Sequence, residues 1–443
     1  MYDKQKDHGL LVISAGTGIN LALGVLYTWS IFKGAIRESI QSGAVDGFNW
    51  DLTSLNDPYA VCCLVFACTM VLAGNIQDRF GPRITAFIGG LLVGLGFLWI
   101  STTTAYWGWI LGFGVLVGAG IAFGYSAATP AALKWFSPSK TGKIAGIVVS
   151  GFGLASVYIA PLATWLLAMW GLQDAMLAFG LGFFVLVSLL STMLLTPPED
   201  YTPKDFVDRR HPGEHNLERR DDFIDVSASP SEIVKMPSFW LTWLLYFIGA
   251  GAGLMVISSI AGLAKSSLGE QAFLAVAILA IGNAGGRIIA GIASDHYGRY
   301  ATLTALLFLQ ALLMFTAAAV IGGQSDSALI LVLLTTFIGF NYGSNLALFP
   351  AICKDLWGIE HFGMNYGILF TAWGIGGFVM SRTSEVLRVQ SGSFTGSFII
   401  AGILLIAGAS LTLFLHFHPI KRRRRKIRKE EKQMMKDSNL KIA

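Results

Sequence analysis

The sequence predicts an all-α membrane protein in which twelve transmembrane helices form two pseudo-symmetric six-helix bundles. Three observations carry that prediction: the composition, the number of apolar runs, and loop motifs that recur between the halves. Of 443 residues, 54% are hydrophobic and 13% charged, against about 25% charged in a soluble domain. Mean hydropathy is +0.60. An ordinary soluble enzyme is excluded. Glycine, at 51 residues, also exceeds the usual ~7%, as it does in membrane helices that pack closely.

A hydrocarbon core about 30 Å thick is crossed by ~20 apolar residues in helical form. Twelve such runs occur, at 11–33, 58–76, 84–104, 107–131, 143–167, 174–196, 238–262, 271–293, 300–322, 327–350, 364–386 and 394–417. The one long polar interruption, Pro197–Pro237, divides them six plus six. The expected organisation is an N-terminal bundle over 1–196, a cytoplasmic linker with a short interfacial helix over 197–237, a C-terminal bundle over 238–420 and a basic tail over 421–443. The charged stretch Met1–His8 leads into a run too long for the core of a cleavable signal, so the first span is expected to stay.

Basic residues set the orientation. With the N-terminus inside, 15 Lys/Arg fall in the N-terminal segment and cytoplasmic loops and 11 in the tail. Five fall outside: Lys33, Arg37, Lys265, Arg382 and Arg388. This positive-inside bias predicts a multi-pass protein of the plasma (inner) membrane with both termini cytoplasmic. The net charge of +5 does not mark a nucleic-acid partner, because Lys421–Ala443 alone carries +8 and the rest of the chain is net acidic. The tail reads as a topological anchor touching anionic lipid. Cys62, Cys63, Cys68 and Cys353 form no C-x-x-C pair and lie in or beside apolar runs, as reduced core residues rather than metal ligands. No cofactor, metal or nucleophile–base constellation is visible, and a monomer is expected.

The halves carry matching motifs. Gly74-Asn-Ile-Gln-Asp78-Arg79-Phe-Gly81-Pro82-Arg83 follows span two, and Gly291-Ile-Ala-Ser-Asp295-His-Tyr-Gly298-Arg299 follows span eight, offset by 217 residues. Gly146–Gly153 and Gly367–Gly374 echo each other at an offset of 221. Duplicated bundles with a site between them near the midplane are the plan of a transporter. Asp78, Arg79, Arg83, Asp295 and Arg299 are candidate gating residues, bridging neighbouring helices at the cytoplasmic rim, with Gly81 and Gly298 supplying turns at φ > 0. Solvated loop charges would be the plain alternative; the second copy favours a gate.

The motif after span two resembles the signature loop of the major facilitator superfamily, and the resemblance covers all twelve spans. Gly124-Tyr125-Ser-Ala-Ala-Thr-Pro130-Ala-Ala-Leu-Lys134-Trp135-Phe136, with Gly142 and Gly146 beyond it, resembles more narrowly the oxalate/formate antiporter family, itself related to monocarboxylate (lactate/pyruvate) transporters. The fold implied is the major facilitator fold.

Arg287 is the one strongly charged group placed within the hydrocarbon region, about six residues (~9 Å) from the end of span eight. Burying it costs at least ~2.5–3.5 kcal/mol, and no carboxylate lies at similar depth. A substrate carboxylate, gripped by the planar guanidinium fork, is the natural partner. Asn283, four residues earlier on the same face, can donate to the same anion. The alternative is an arginine that snorkels to the interface or caps carbonyls of a neighbouring helix. The resemblance agrees with binding, since related transporters place a carboxylate-binding arginine on span eight.

The departures narrow the cargo. Oxalate exchangers carry lysine at the third place of a Thr-Ala-x motif in span eleven; here the sequence is Thr371-Ala372-Trp373. A single cation matches a single carboxylate, and an unpaired second charge would cost several kcal/mol. Animal monocarboxylate carriers have an aspartate four residues before the arginine and a lysine in span one. Asn283 stands at the first position and span one has no charge between Leu11 and Lys33, so the proton-relay residues do not carry over. Tyr27, Tyr125, Tyr342, Asn345 and Trp373, partly by that resemblance, complete the expected pocket.

The function expected is a secondary transporter moving a small monocarboxylate by alternating access, proton-coupled or by anion exchange. Alternatives are dicarboxylate exchange of the oxalate/formate type, with Arg382 as a remote second cation, and a membrane sensor built on a degenerate bundle. The linker and tail are too small and charged to serve as a sensor's output domain.

Overall fold

The computed structural model describes residues 7–43, 47–51, 54–55, 57–137, 140–198, 201, 228–268, 272–322, 328–391 and 393–417. The basic tail and most of the polar linker lie outside these residues, as does the side chain of Arg382.

Span one begins as helix Gly9–Leu23, tightens into a 3-10 turn over Gly24–Thr28 and resumes as Trp29–Ser42. Gly24 is where this helix presses on span five, since a Cβ there would sit 2.6 Å from the Phe152 carbonyl oxygen. Span two is Asp57–Phe80 and span three Pro82–Ile100. Span four runs through Tyr106–Trp109, a π-helical stretch Ile110–Val117 and helix Gly118–Leu133. Spans five and six form one run, Thr141–Ser191, broken at Gly171 by a φ of 79°. The linker resumes in the short helix Pro230–Ile233, closed by a Ser229/Glu232 capping box.

The second half continues with Pro237–Leu268, Ala272–Tyr297, Arg299–Gly322, Ala328–Trp357, Phe362–Ser391 and Thr395–Phe417 as spans seven to twelve. Among the described residues nine helices are long and apolar enough to cross a membrane, one being the fused spans five and six. With Ala272–Tyr297 and Phe362–Ser391, twelve passages result. Several spans outrun their expected limits, because apolar scanning stops where polar end residues begin although the helix continues.

Apolar side chains lie on both faces. Leu72, Leu181, Ile289, Phe308 and Phe414 are exposed while Val93, Phe97, Leu307 and Leu369 are buried. Such helices suit a hydrocarbon solvent, and packing must use shape rather than hydrophobic contrast.

Two seams join the halves: span five runs along span eight, and span two along span eleven. Both are seams of backbone. A Cβ on Gly142 would strike the Gly291 carbonyl and one on Gly291 the Gly142 carbonyl. Gly146 faces the Arg287 carbonyl, Gly74 the Gly363 carbonyl, and Gly367 the Met70 carbonyl. Both seams run to the face on which Leu195 and Ala228, described residues on either side of the linker, make their contacts, here termed the linker face.

Candidate functional site

On span eight Asn283 and Arg287 stand one turn apart, and both are buried, Arg287 completely. Its Nε donates to Asn283 Oδ1 at 2.9 Å, and its Nη1 donates to the backbone carbonyl of Val149 on span five. Its Nη2 is buried and has no hydrogen-bond partner. The guanidinium lies over the Phe152 ring, 6.0 Å from the centroid. Gly153 leaves the space for it, as a Cβ there would come within 3.3 Å of both Arg287 Nε and Asn283 Oδ1.

Part of the alternative weighed from sequence is therefore seen: one guanidinium nitrogen caps a carbonyl of a neighbouring helix. Snorkelling is not, because the group bridges the two halves in the interior. Its observed partners are neutral acceptors, an amide oxygen and a peptide oxygen. Asn283 uses its carbonyl on Arg287, which leaves its amide NH2 as the group available to an anion.

Three further expected residues converge beside it. Tyr27 lies in the 3-10 turn of span one, Tyr342 in span ten and Trp373 in span eleven. Tyr27 Oη and Tyr342 Oη are 2.9 Å apart, and Trp373 Nε1 donates to Tyr342 Oη at 2.9 Å. The Tyr27 hydroxyl lies close enough to Arg287 to act on it both by charge and as a side-chain hydrogen-bond partner, and its ring meets Phe152 edge-on at 5.2 Å.

Tyr125 sits one layer away. It packs edge-on to Phe152 at 5.6 Å, and its buried hydroxyl, near Tyr366 and Arg287, makes no hydrogen bond of normal geometry. Asn345 points elsewhere: its Nδ2 bonds the Asn341 carbonyl at 2.9 Å and its Oδ1 abuts Gly249 of span seven. One helical turn beyond Tyr342, which also packs on span seven through Gly253, Asn345 makes no hydrogen bond to Arg287 among the described residues.

Motif carboxylates tie the two halves together at the linker face. Asp78 accepts from the N–H groups of Gly363 (3.0 Å) and Met364 (2.9 Å), where span eleven begins. Asp295 accepts from the N–H groups of Gly142 (2.8 Å) and Lys143 (2.7 Å), where span five begins. Each carboxylate thus caps a helix of the opposite half, satisfying donors that a helix start leaves open and meeting the positive end of its dipole. Arg299 ties Asp295 to Asp355, whose Oδ2 it reaches at 2.8 Å. Lys354 Nζ adds a bond to Thr141 at 2.9 Å across the same seam. The first copy departs from expectation: Arg79 and Arg83 are exposed, and Asp78 bridges the halves through backbone donors without them. Gly81 and Gly298 take the expected positive φ, 83° and 90°.

Sequence reasoning missed several polar groups in the interior. Asn20, in span one, donates to the Val148 carbonyl at 2.8 Å, one residue from the carbonyl that holds Arg287; a lone amide in an apolar run was the available signal. Tyr246 and Tyr366 place their hydroxyls 3.4 Å apart, and Tyr246 stacks on Phe349. Ala228, the first described residue after the linker gap, is buried, donating to the Trp357 carbonyl and accepting from Asn365 Nδ2.

The Major Facilitator Superfamily model matches residues 10–381 and, in a second overlapping match, 266–441, so the chain belongs to the major facilitator superfamily. It is 26% identical over 358 residues to the oxalate:formate antiporter of Oxalobacter formigenes, covering 79% of this chain and 77% of that one. It is 27% identical over 351 residues to monocarboxylate transporter 13 of Bos taurus, covering 77% and 76%. Among solved structures, the proton:xylose symporter XylE matches with a TM-score of 0.68 at 15% identity over 92% of this chain and 95% of that one, a likeness of fold. The protein is a membrane transporter, not an enzyme.

Proposed function

We propose that this transporter carries a small monocarboxylate of the lactate/pyruvate/formate kind across the plasma (inner) membrane by alternating access, with both termini cytoplasmic. The observation that carries the proposal is a wholly buried guanidinium between the halves with Nη2 lacking an acceptor. A hydrogen bond left unmade at a buried charged donor costs more than ~1–3 kcal/mol. A carboxylate oxygen there removes the deficit and neutralises the cation. Asn283, Tyr27, Tyr342 and Trp373 are the remaining binding groups, with Tyr125 as an outer wall.

Two observations support one carboxylate rather than two. The described side chains in contact with Arg287 are neutral, and Trp373 stands where a second cation would be needed. The curated relatives include an oxalate:formate antiporter, which keeps dicarboxylate exchange as the competing assignment. Asp78, Asp295 and Arg299 form the gate, closed in this structure on the linker face, which the positive-inside pattern assigns to the cytoplasm. Transport is by a monomer, with lipid around it and protons or a second anion as the coupling species.

The test is counterflow in proteoliposomes with labelled lactate, challenged by unlabelled pyruvate, formate, acetate and oxalate. Competition by the monocarboxylates supports the proposal; competition by oxalate alone overturns it. Repeating uptake with and without a pH gradient separates symport from exchange.

A further inference from the structure

The two motif copies grip the opposite half in the same way but are not built alike. Asp78 accepts from the N–H groups of Gly363 and Met364, and Asp295 from those of Gly142 and Lys143, the corresponding residues of the other half. The packing around each receiving glycine also matches. A Cβ on Gly363 would lie 2.6 Å from the Gly74 carbonyl oxygen, and one on Gly142 would strike the carbonyl of Gly291, which corresponds to Gly74 at the motif offset of 217. The next neighbour differs. Beside Gly142 it is Arg299 Nη1, 2.6 Å from the Cβ position; beside Gly363 it is Gln77 Oε1, at 2.5 Å.

The sequence explains the exchange. At the motif offset Arg299 corresponds to Pro82, whose ring carries no donor, and Ser294 corresponds to Gln77. In the second copy Arg299 Nη1 bridges Ser294 Oγ and Asp295 Oδ1. In the first, glutamine outreaches serine, and the extra length carries its amide into the place that the guanidinium takes in the second. Arg79 and Arg83 do not fill that place, both being exposed. Lys134 and His361 act on Asp78 by charge without bonding to it.

Gln77 is 2% exposed, and its Oε1 has no hydrogen-bond partner. Asp78 Oδ1 lies 2.7 Å from the same Cβ position on Gly363, so two acceptor oxygens, one of them charged, face a single point. The two ends of an amide differ by a half-turn, and the hydrogen-bond network decides between them. With its NH2 at this position Gln77 donates to the Asp78 carboxylate, and no acceptor is stranded beside a charge of its own sign.

We infer that Gln77 is a positioning residue of the linker-face gate: its amide NH2 holds the Asp78 carboxylate on the start of span eleven, as the Arg299 guanidinium holds Asp295 on the start of span five. The inference rests on the reading of Asp78 and Asp295 as the gate. Gln77 and Arg299 each belong to the same half as their aspartate, so each aims a carboxylate at the other half. One latch is set by a cation, the other by a neutral amide.

The experiment reads the distance across the seam of spans two and eleven, between spin labels at Phe80→Cys and Glu360→Cys, both exposed positions. The four native cysteines are replaced by alanine in every sample. Asp78→Ala is the control for the gate itself. Q77M keeps the length of the side chain and loses both polar ends; the ratio of open to closed populations should rise about tenfold, as for loss of a hydrogen bond to a charged group. Q77E has the shape of glutamine, sets a second carboxylate against Asp78 and should open the seam further. Q77E/D78N exchanges amide and carboxylate and should be less open than Q77E, a rescue that a mere filler of space would not give. If Q77M or Q77E keeps the wild-type distribution, or Q77E/D78N is more open than Q77E, while Asp78→Ala opens the seam, the role of Gln77 is overturned and the gate stands. If Asp78→Ala leaves the distribution unchanged, the gate falls and the role of Gln77 with it.

Discussion

Arg287 on span eight and Val149 on span five are joined by a hydrogen bond from the guanidinium Nη1 to the peptide carbonyl, across the boundary between the two halves. One turn further along the same seam, Gly146 lies against the carbonyl of Arg287 itself. The residue assigned to the cargo is thus also part of the surface along which the halves meet. On the proposed function, a substrate that drew the guanidinium toward itself would compete with Val149 for it, and loading would loosen the seam. A ligand moves a conformational equilibrium only through such differential contacts.

Replacing Arg287 by lysine keeps a charge and discards the planar fork. Uptake of labelled monocarboxylate should fall about 10–100-fold, with the purified protein still monodisperse in size-exclusion chromatography. Undiminished uptake would remove Arg287 from the binding site.

Gly146→Val should favour the state open on the linker face. The added side chain meets the Arg287 carbonyl, and overpacking of this kind costs about 1–3 kcal/mol. Spin labels at Lys140→Cys and Tyr297→Cys should then report a longer distance, whereas an unchanged distribution would mean that the seam yields elsewhere.

Asp78→Ala and Asp295→Ala each strip the acceptor from two helix-start N–H groups. Each should destabilise closure by about 0.5–2 kcal/mol, as loss of a helix cap does. The caps hold different seams, so the double variant should shift the spin-label distances further than either alone. Asp78→Asn, which keeps an acceptor oxygen, should shift them less than Asp78→Ala.

Epitope tags at both ends should be reached by antibody only after the membrane is permeabilised, as the basic-residue distribution requires. Labelling of either end on intact cells would reverse the assignment of the linker face to the cytoplasm.

Much of this architecture was legible in the sequence because it follows from solvent. Twelve apolar runs, the break at Pro197–Pro237 and Arg287 as a charge in oil are all consequences of a hydrocarbon environment, which composition reports directly. The pairing of Asn283 with Arg287 followed from a spacing of four residues on one helix. The bond from Arg287 to Val149 did not, because a backbone carbonyl on another span is advertised by no side-chain pattern. The same limit applies at the rim. Asp78 and Asp295 were identified from their motif, while their partners, the N–H groups of Gly363, Met364, Gly142 and Lys143, carry no residue-type signature. Asn345 could be named as a polar residue on the expected helix, but its contacts with the Asn341 carbonyl and with Gly249 of span seven could not be read from residue type. Tyr27, Tyr342 and Trp373 could be named singly, but their contact requires the 3-10 turn in span one, which arises where Gly24 meets Phe152.

The seams between the halves are glycine against carbonyl, while the ring of tyrosines, tryptophan and asparagine above them is all side chain. Only Arg287, through its bond to the Val149 carbonyl and its own carbonyl against Gly146, belongs to both sets. On the proposed function, a change of cargo would need new side chains only at Tyr27, Tyr342 and Trp373, whereas even one methyl group at Gly142 or Gly146 would press on a carbonyl of the facing half and bias the transporter whatever it carried.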